Sequence, residues 1–264
     1  MEEADGPTYP NIPGKHAFDA LLHPEDKVAY ARESGMLEGF QAPEGIILCY
    51  QRSVLEHSQS TEDLADVPGP MHRGLYTLPS TSHRIGVLGG FGFGAPVATL
   101  LMEDFIALGT EKFISIGTAG GLQQDTRVGD IILCDQAIRD EGVSHHYVPP
   151  GKYGYASIDL TSRLADAFAR TGTLYTTGCA WTIDTPYRET LEEIRQYERV
   201  GVRCVEMEAA AIFSVAACRS VQAASAVVVS DLLVDGVWEP QMRSEETVGG
   251  LRKLYDAAVS ALLA

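Results

Sequence analysis

The sequence has no basic run, no paired-cysteine motif and no apolar stretch long enough to cross a bilayer. Its formal net charge of −16 argues against a nucleic-acid binder, because phosphate backbones require clustered Lys and Arg. Attraction for an anionic ligand must therefore come from a local site. Because a membrane-spanning helix needs roughly 18 or more consecutive apolar residues, we also expect no membrane association.

The five cysteines are scattered and form no C-x-x-C pair, which disfavours a zinc site or a disulfide framework. His145 and His146 follow an acidic stretch, but adjacent histidines seldom chelate one ion, so we expect no metal. The N-terminus is acidic and lacks the basic and apolar segments of a signal peptide. We therefore expect free thiols in a reducing compartment and a cytoplasmic protein.

Short apolar runs alternate with helical patterns along the chain. The patterns predict strands at 45–50, 84–89, 112–117, 129–134 and 224–230, and helices at 24–38, 96–105, 160–171, 188–199, 207–219 and 245–262. Strands that are apolar throughout indicate a sheet covered on both faces. We predict an α/β fold with three α/β/α layers around a mixed, mostly parallel sheet.

No linker or change of composition divides the chain, so residues 1–264 are predicted to form a single domain. Within it we expect an N-terminal arm and helix over residues 1–44 and an α/β core over 45–264. Residues 1–16 have few apolar anchors, and we interpret them as a flexible arm or as an arm held by a partner subunit.

Two glycine-rich segments, 89–96 and 117–121, follow predicted strands, and ligands bind beyond the carboxyl ends of strands in open α/β sheets. The first segment also fits a G-x-G-x-x-A dinucleotide fingerprint, but the next strand does not end in the ribose-binding acid that such a site needs. In the second, successive N–H groups around Gly117 would form an anion nest, to which Thr118 adds a hydroxyl. Each segment is also compatible with a plain turn.

Carboxylates follow two other predicted elements. Glu206 and Glu208 start a helix, and at about 100° per residue they point to different sides, so we expect one to bind ligand and the other to brace the loop. Asp231 follows three valines, where solvent is scarce, and this favours a proton donor. The alternatives are acids that complement a helix dipole and an Asp that caps a helix or a turn. Trp181 and Tyr187 are candidates for stacking on a flat base, or core residues.

Together these segments resemble the nucleoside phosphorylase family, which includes uridine phosphorylase, hexameric purine nucleoside phosphorylase and methylthioadenosine nucleosidase. The resemblance rests on five segments and covers about residues 45–260; the segments are 92–96, 116–121, 128–131, 205–209 and 230–231. It implies cleavage of the N-glycosidic bond of a small-molecule nucleoside, with inorganic phosphate as co-substrate and no cofactor. It also implies a homo-oligomer, either a dimer or a trimer of dimers.

The resemblance also implies roles for residues at the sugar. It places Glu208 on the ribose hydroxyls, with Met207 packed against the sugar and Phe93 lining the ribose pocket. Thr118 would contact both phosphate and sugar. His16 would reach the 5′ end of the sugar in a neighbouring subunit, as an N-terminal histidine does in relatives.

For the base, the resemblance aligns Asp231 with the acid that protonates N7 of a departing purine. Uridine phosphorylases lack that acid, so a purine is favoured. Those enzymes place a Phe-Tyr-x-x-Gln-x-Arg run where this chain has residues 186–192, and the stacking phenylalanine is Pro186 here. Arg188 would still reach a base carbonyl, which keeps a uridine phosphorylase-type activity as an alternative.

The phosphate site departs from the family pattern. Phosphorolytic relatives carry a Gly-Asp-Pro-x-Arg loop after the first strand and an arginine where this chain has Ser115. Arg52 would replace one of these ligands, since a guanidinium binds phosphate through a bidentate fork. Together with Gly117 and Thr118 it would hold the phosphate. Phosphorolysis of a purine nucleoside is the leading hypothesis, and a nucleoside hydrolase and a non-catalytic nucleoside-binding protein are the alternatives.

Overall fold

A computed structural model describes residues 12–66, 74–233 and 236–264. Within these ranges eleven strands form one sheet: β1 (Gly45–Cys49), β2 (Ala65–Asp66), β3 (Leu75–Thr77), β4 (Ile85–Gly89), β5 (Lys112–Gly121), β6 (Ile131–Asp140), β7 (Tyr153–Tyr155), β8 (Thr176–Ile183), β9 (Cys204–Glu206), β10 (Gln222–Leu232) and β11 (Glu239–Pro240). The α-helices over the same ranges are α1 (Pro24–Glu33), α2 (Arg52–Thr61), α3 (Ala95–Leu108), α4 (Ser144–Tyr147), α5 (Ile158–Thr171), α6 (Leu191–Arg199), α7 (Ala209–Arg219) and α8 (Glu245–Leu263).

The sheet has the strand order β11-β10-β6-β8-β9-β5-β1-β4-β3-β2, and β7 pairs with β6. Because β10 also pairs with β5, the strands β5, β9, β8, β6 and β10 close into a ring. The longest pairings, β5 with β10 and β6 with β8, are parallel, as are those of β1 with β4 and β5. Short edge strands such as β2, β3 and β11 pair antiparallel. The predicted α/β fold with a mixed sheet is confirmed.

Helices cover both faces of the sheet, and β1 shows why. Ile46 and Leu48 belong to one apolar core, which contains residues of α3 and α7. Ile47 and Cys49 belong to a second core with residues of α2, α5 and α8. Since successive side chains of a strand point to opposite faces, an unbroken apolar run supplies both cores at once. The result is the predicted three-layer arrangement.

Most predicted elements are present with shifted ends. The first helix ends at Glu33 rather than at residue 38, while β5 continues to Gly121 and β6 to Asp140. Strand β8 and helix α2 were not predicted. Residues 1–11 of the predicted arm lie outside the described residues, and the single-domain organisation stays a prediction. Across the described ranges, no helix combines the length and apolarity needed to cross a bilayer.

Candidate active site

A cavity of about 600 Å³ opens beside β5, β9 and β10, at the loops that precede α3 and α6. Its walls come from segments far apart in the chain, because the parallel strands bring their carboxyl ends to one region of the sheet. Six residues predicted for the site line this cavity: Phe93, Thr118, Tyr187, Met207, Glu208 and Asp231. The other five, His16, Arg52, Gly117, Trp181 and Arg188, do not line it.

The turn between β9 and α7 holds two buried glutamates with different partners. Glu206 Oε2 accepts hydrogen bonds from the backbone N–H groups of Glu208 (2.8 Å) and Ala209 (2.7 Å), and its Oε1 accepts one from the Thr182 hydroxyl. Glu206 therefore satisfies N–H groups at the start of α7 that have no partner within the helix. The helix begins at Ala209, and Val205 and Glu206 lie in β9 rather than in the predicted helix start.

Glu208 is held from the other side, by the glycine turn before α3. Its Oε1 accepts a hydrogen bond of 2.5 Å from the backbone N–H of Gly94. Gly94 has a φ of 104°, in the left-handed region that favours glycine, and it caps the N-terminus of α3. The glycine-rich segment thus presents its N–H to a carboxylate of the same chain.

Burial raises the pKa of Glu208, and the neighbouring charge of Glu206 raises it further. Burial also raises the pKa of Glu206, against hydrogen bonds that lower it, the largest from the Thr182 hydroxyl. Two buried acids of like charge cannot both ionise cheaply, and a ligand that brings hydroxyl donors or positive charge would favour their ionised forms.

Asp231 is positioned by a β-bulge in β10. The pairing of β10 with β5 shifts between Val229 and Asp231, so that Ser230 is the extra residue and Asp231 lies opposite Gly120. A Cβ atom at Gly120 would lie 3.2 Å from Asp231 Oδ2. The absence of a side chain at this glycine therefore lets the carboxylate lie close against β5.

Both carboxylate oxygens of Asp231 accept hydrogen bonds. The Ser230 hydroxyl donates to Oδ1 (2.7 Å), and the Trp238 indole N–H donates to Oδ2 (2.9 Å). An ionised carboxylate only accepts hydrogen bonds, so two protein donors match that form. Trp238 also lines the cavity. The sequence analysis did not identify it, because the chain has to return after β10 to bring the indole to Asp231.

Glu189 is a further acid in the cavity wall that the sequence analysis missed. It is half-buried, between the 3₁₀ turn Pro186–Arg188 and Thr190, the N-cap of α6. Burial raises the pKa of Glu189 to about 7, with contributions from the negative charges of Asp231 and Glu193. The sequence does contain a signal for this position. Thr190 and Glu193 form a capping box at the start of α6, so Glu189, just before Thr190, is the last residue of the preceding loop.

Neutral polar side chains lie around Thr118. The Gln51 amide donates to the Thr118 hydroxyl oxygen (2.9 Å), and the Tyr50 and Ser115 hydroxyls share a hydrogen bond (3.0 Å). Thr118 lies in β5, so residues 117–121 form a strand rather than the predicted anion nest. Gly117 is buried in that strand and pairs with Val227 of β10. The expected loop is therefore a strand, and the contact of Gly117 with phosphate stays a prediction.

Arg52 does not lie in the cavity. It is the first residue of α2, its side chain is 90% exposed, and its Nε forms an ion pair with Glu56 one turn later (2.9 Å). The segment after β1 was predicted as a phosphate-binding loop, but helix formation turns the guanidinium outward. Among the described residues that line the cavity there is no Lys, Arg or His, whereas four are acids: Glu189, Glu206, Glu208 and Asp231.

Trp181 is a core residue and not a base-stacking one. Its side chain is fully buried in β8, its indole N–H donates to Asp140 Oδ2 (2.8 Å), and its ring packs against Tyr197 with 4.6 Å between centroids. The surrounding strands form a separate apolar cluster around it. Tyr187, by contrast, is almost fully exposed and lines the cavity.

His16 and Arg188 also lie outside the cavity of this chain. His16 Nε2 donates to the backbone carbonyl of His145 at the start of α4 (3.0 Å), and Arg188 is exposed at the end of its 3₁₀ turn. The predicted contact of His16 with the site of a neighbouring subunit stays a prediction. In the described ranges, no group of three or more His, Cys, Asp or Glu side chains is arranged to hold a metal ion.

Residues 57–263 match the sequence model of the phosphorylase superfamily. The DeoD-type purine nucleoside phosphorylases of Bacillus cereus (strain ZK / E33L) and Bacillus thuringiensis (strain Al Hakam) are similar to the chain. Each is 29% identical over 176 residues, which cover 66% of this chain and 74% of the relative.

A solved structure shares the fold: the purine nucleoside phosphorylase from Toxoplasma gondii in complex with immucillin-H. The two folds superpose with a TM-score of 0.74 at 19% sequence identity, covering 84% of this chain and 90% of that one. At this level of identity the likeness supports the three-layer α/β fold.

Proposed function

The chain belongs to the phosphorylase superfamily, and from this premise we propose that it cleaves the N-glycosidic bond of a purine nucleoside by phosphorolysis. The products would be the free base and ribose 1-phosphate or deoxyribose 1-phosphate. Relatives named purine nucleoside phosphorylases support the choice of reaction and of base class.

One observation carries the proposal: Glu208 and Asp231, which lie on different elements, line the same cavity. Its volume of about 600 Å³ falls in the range of roughly 300–1,000 Å³ that is usual for small-molecule sites. Cleavage of a glycosidic bond develops positive charge on the sugar and negative charge on the base. A cavity with acids at both places suits that separation of charge.

We assign Glu208 to the ribose hydroxyls. In its ionised form the carboxylate accepts hydrogen bonds from the hydroxyls, orients the ring and stabilises the cationic sugar as the bond breaks. Met207 and Phe93, which line the same cavity, would pack against the sugar. Because Gly94 and Glu206 fix the turn around it, the carboxylate is in place before substrate binds.

We assign the Asp231 corner, defined as Asp231, Ser230, Trp238 and Glu189, to the base. A purine leaves as an anion unless a proton reaches its ring, and a positioned general acid typically contributes ~10²–10⁴-fold to such a step. Tyr187, exposed at the cavity, would stack on the base. Asp231 was predicted as the acid itself, and we propose that the carboxyl groups of this corner supply the proton.

We assign inorganic phosphate to the Thr118 corner, defined as Tyr50, Gln51 and Thr118. The hydroxyls and the Gln51 amide would donate to phosphate oxygens, and no cofactor is needed for the attack on the sugar carbon. We also propose that the protein works in the cytoplasm as a homo-oligomer, either a dimer or a trimer of dimers.

Product analysis tests the reaction. Purified protein is incubated with inosine, adenosine and uridine in the presence of phosphate and in rigorously phosphate-free buffer, and the sugar product is identified. The proposal predicts purine release that depends on phosphate and yields sugar 1-phosphate. Base release at the same rate without phosphate, with free ribose as product, would overturn it.

Hydrolysis is a second candidate, and the charges of the cavity favour it. The described lining residues include four acids and no cation, so a phosphate dianion gains no ion pair from them. A water molecule is neutral, so the acids of the cavity do not repel it and it needs no ion pair to bind there. The same experiment separates the two reactions, since only phosphorolysis yields a sugar phosphate.

A further inference from the structure

Glu189 occupies an unusual position among the acids of the cavity. Glu189 lines the same cavity as Asp231, and its backbone N–H donates to the Pro186 carbonyl, but its side chain hydrogen-bonds to no described residue. Glu206 and Asp231 each accept two or more hydrogen bonds from the protein, and Glu208 accepts one from Gly94. Among the described acids that line the cavity, Glu189 is therefore the one whose carboxyl group accepts no hydrogen bond from the protein.

The hydrogen bonds of Asp231 also indicate that it and Glu189 have different roles. Ser230 and Trp238 donate to the two Asp231 oxygens, so that the carboxylate acts as an acceptor and is fixed in place by the protein. A fixed negative charge favours the neutral form of a second carboxyl group nearby. Two acids with such different hydrogen-bonding surroundings can divide the roles of acceptor and proton donor between them.

We propose that Glu189 is a further catalytic residue, the acid that donates the proton to the departing purine, while Asp231, whose two oxygens are held by Ser230 and Trp238, orients the base. The inference deepens the proposed function and rests on it. It changes the role first predicted for Asp231 and leaves the reaction unchanged.

The step is balanced as follows. The bond between the sugar C1′ and the purine N9 breaks, and its electron pair goes to the base. The proton of the Glu189 carboxyl moves to N7, so that the purine leaves neutral and Glu189 becomes a carboxylate. A phosphate oxygen forms the new bond to C1′. Since Glu189 is only half-buried, solvent can return its proton after the base leaves.

The charged groups around Glu189 fit this role. Burial, Asp231 in β10 and Glu193 in α6 all raise the pKa of Glu189, which reaches about 7. A general acid works best when its pKa lies near the operating pH. The acid form, and with it the rate, is expected to fall as the pH rises through about 7.

The experiment compares Glu189→Gln with Glu192→Gln. Glu192 is exposed in the first turn of α6, three residues after Glu189, and does not line the cavity, so its variant controls for the same substitution in the same part of the chain. Each protein is assayed with inosine and with N7-methylinosine. The methylated purine already carries a positive charge and needs no proton to leave.

We expect Glu189→Gln to lower kcat for inosine by ~10²-fold or more and kcat for the methylated nucleoside by less than about fivefold. Glu192→Gln should match the wild type with both substrates. In the wild type, kcat for inosine should fall above about pH 7, and kcat for the methylated nucleoside should not.

Equal losses of Glu189→Gln on both nucleosides would show a positioning role and overturn the proposal, as would no loss on inosine. If that variant does not fold, the wild-type pH profiles decide, and identical profiles for the two nucleosides would refute the role. Failure of the proposed function is distinct: the wild type would then release no base, or would release it without phosphate.

Discussion

The Asp231 corner and the Thr118 corner face one cavity but are built differently. In the first, a carboxylate is fixed by donors from a bulge and from an indole. In the second, the Gln51 amide donates to Thr118 and the Tyr50 hydroxyl bonds to Ser115, while the nearest arginine in sequence, Arg52, points outward. In the proposed assignment, the sugar and the base thus meet acids, whereas phosphate meets only neutral donors among the described lining residues.

This contrast predicts a gradient of mutational effects. Charged groups held in a buried site contribute more than neutral hydrogen bonds, and exposed ion pairs contribute least. Substitutions should therefore be most damaging at Glu208 and Asp231, intermediate at Thr118 and nearly silent at Arg52. A different order would show that the two corners do not differ as their contacts indicate.

The largest effect is expected for Glu208→Gln. Hydrogen bonds to a charged group are worth about 1.5–3 kcal/mol each, so losing the charge that holds two ribose hydroxyls should lower kcat/KM by ~10²–10⁴-fold. Steady-state kinetics with inosine and saturating phosphate measure the loss. Unchanged kinetics would reject the assignment of Glu208 to the sugar.

Glu206→Gln is the matched variant two residues earlier. Because Glu206 accepts from two backbone N–H groups and a hydroxyl, its loss should lower the stability of the fold. In a chain of this size each 1 kcal/mol shifts the melting temperature by roughly 2–4 °C. A melting temperature equal to that of the wild type would contradict the bracing role.

Asp231→Asn should lower kcat for inosine by ~10²–10³-fold, because the base loses its orienting carboxylate and Glu189 loses the charge that favours its acid form. Trp238→Phe is a milder change at the same carboxylate and serves for comparison. It removes one donor and keeps the carboxylate, so a loss of only about 2–10-fold is expected. Near-normal turnover of inosine by the Asn variant would remove Asp231 from the mechanism.

These expectations also show where sequence reasoning succeeds. The strand before Asp231 and the helix after Glu208 are marked by local runs of apolar residues, so both acids could be identified without coordinates. Helix α2 contains mostly polar residues and buries only Val54 and Ser58, so its packing against the sheet and α8 decides the conformation. That missing helix is why the exposed Arg52 was predicted as a phosphate ligand.

Residues whose positions depend on the tertiary fold were harder to assign from the sequence. Strand β8 begins with exposed residues and carries a glycine, so its alternation is weak, and Trp181 near its end could not be distinguished from a ligand-stacking residue. Glu189 and Trp238 lie about 40 and 7 residues from Asp231 in sequence, and only the bulged strand and the loops around it bring them together.

A smaller effect is expected for Thr118→Val, which keeps the shape and removes the hydroxyl. The Thr118 oxygen accepts from the Gln51 amide and leaves its own O–H to donate to phosphate. The KM for phosphate should rise by roughly 10–100-fold, as for one hydrogen bond to a charged ligand. Thr118→Ser should restore most of the affinity, and a Ser variant as weak as Val would point to packing instead.

The smallest effect is expected for Arg52→Ala. The guanidinium is 90% exposed and pairs with Glu56 across one helical turn, an arrangement worth about 0.3–0.5 kcal/mol. The KM for phosphate and kcat should stay within about twofold of the wild type. Arg195→Ala removes another exposed pair within one helix, with Glu192 in α6, and is the matched control. If the Arg52 variant alone raised the KM for phosphate tenfold, the start of α2 would have to reorganise when phosphate binds. The neutral Thr118 corner would then be only part of the anion site.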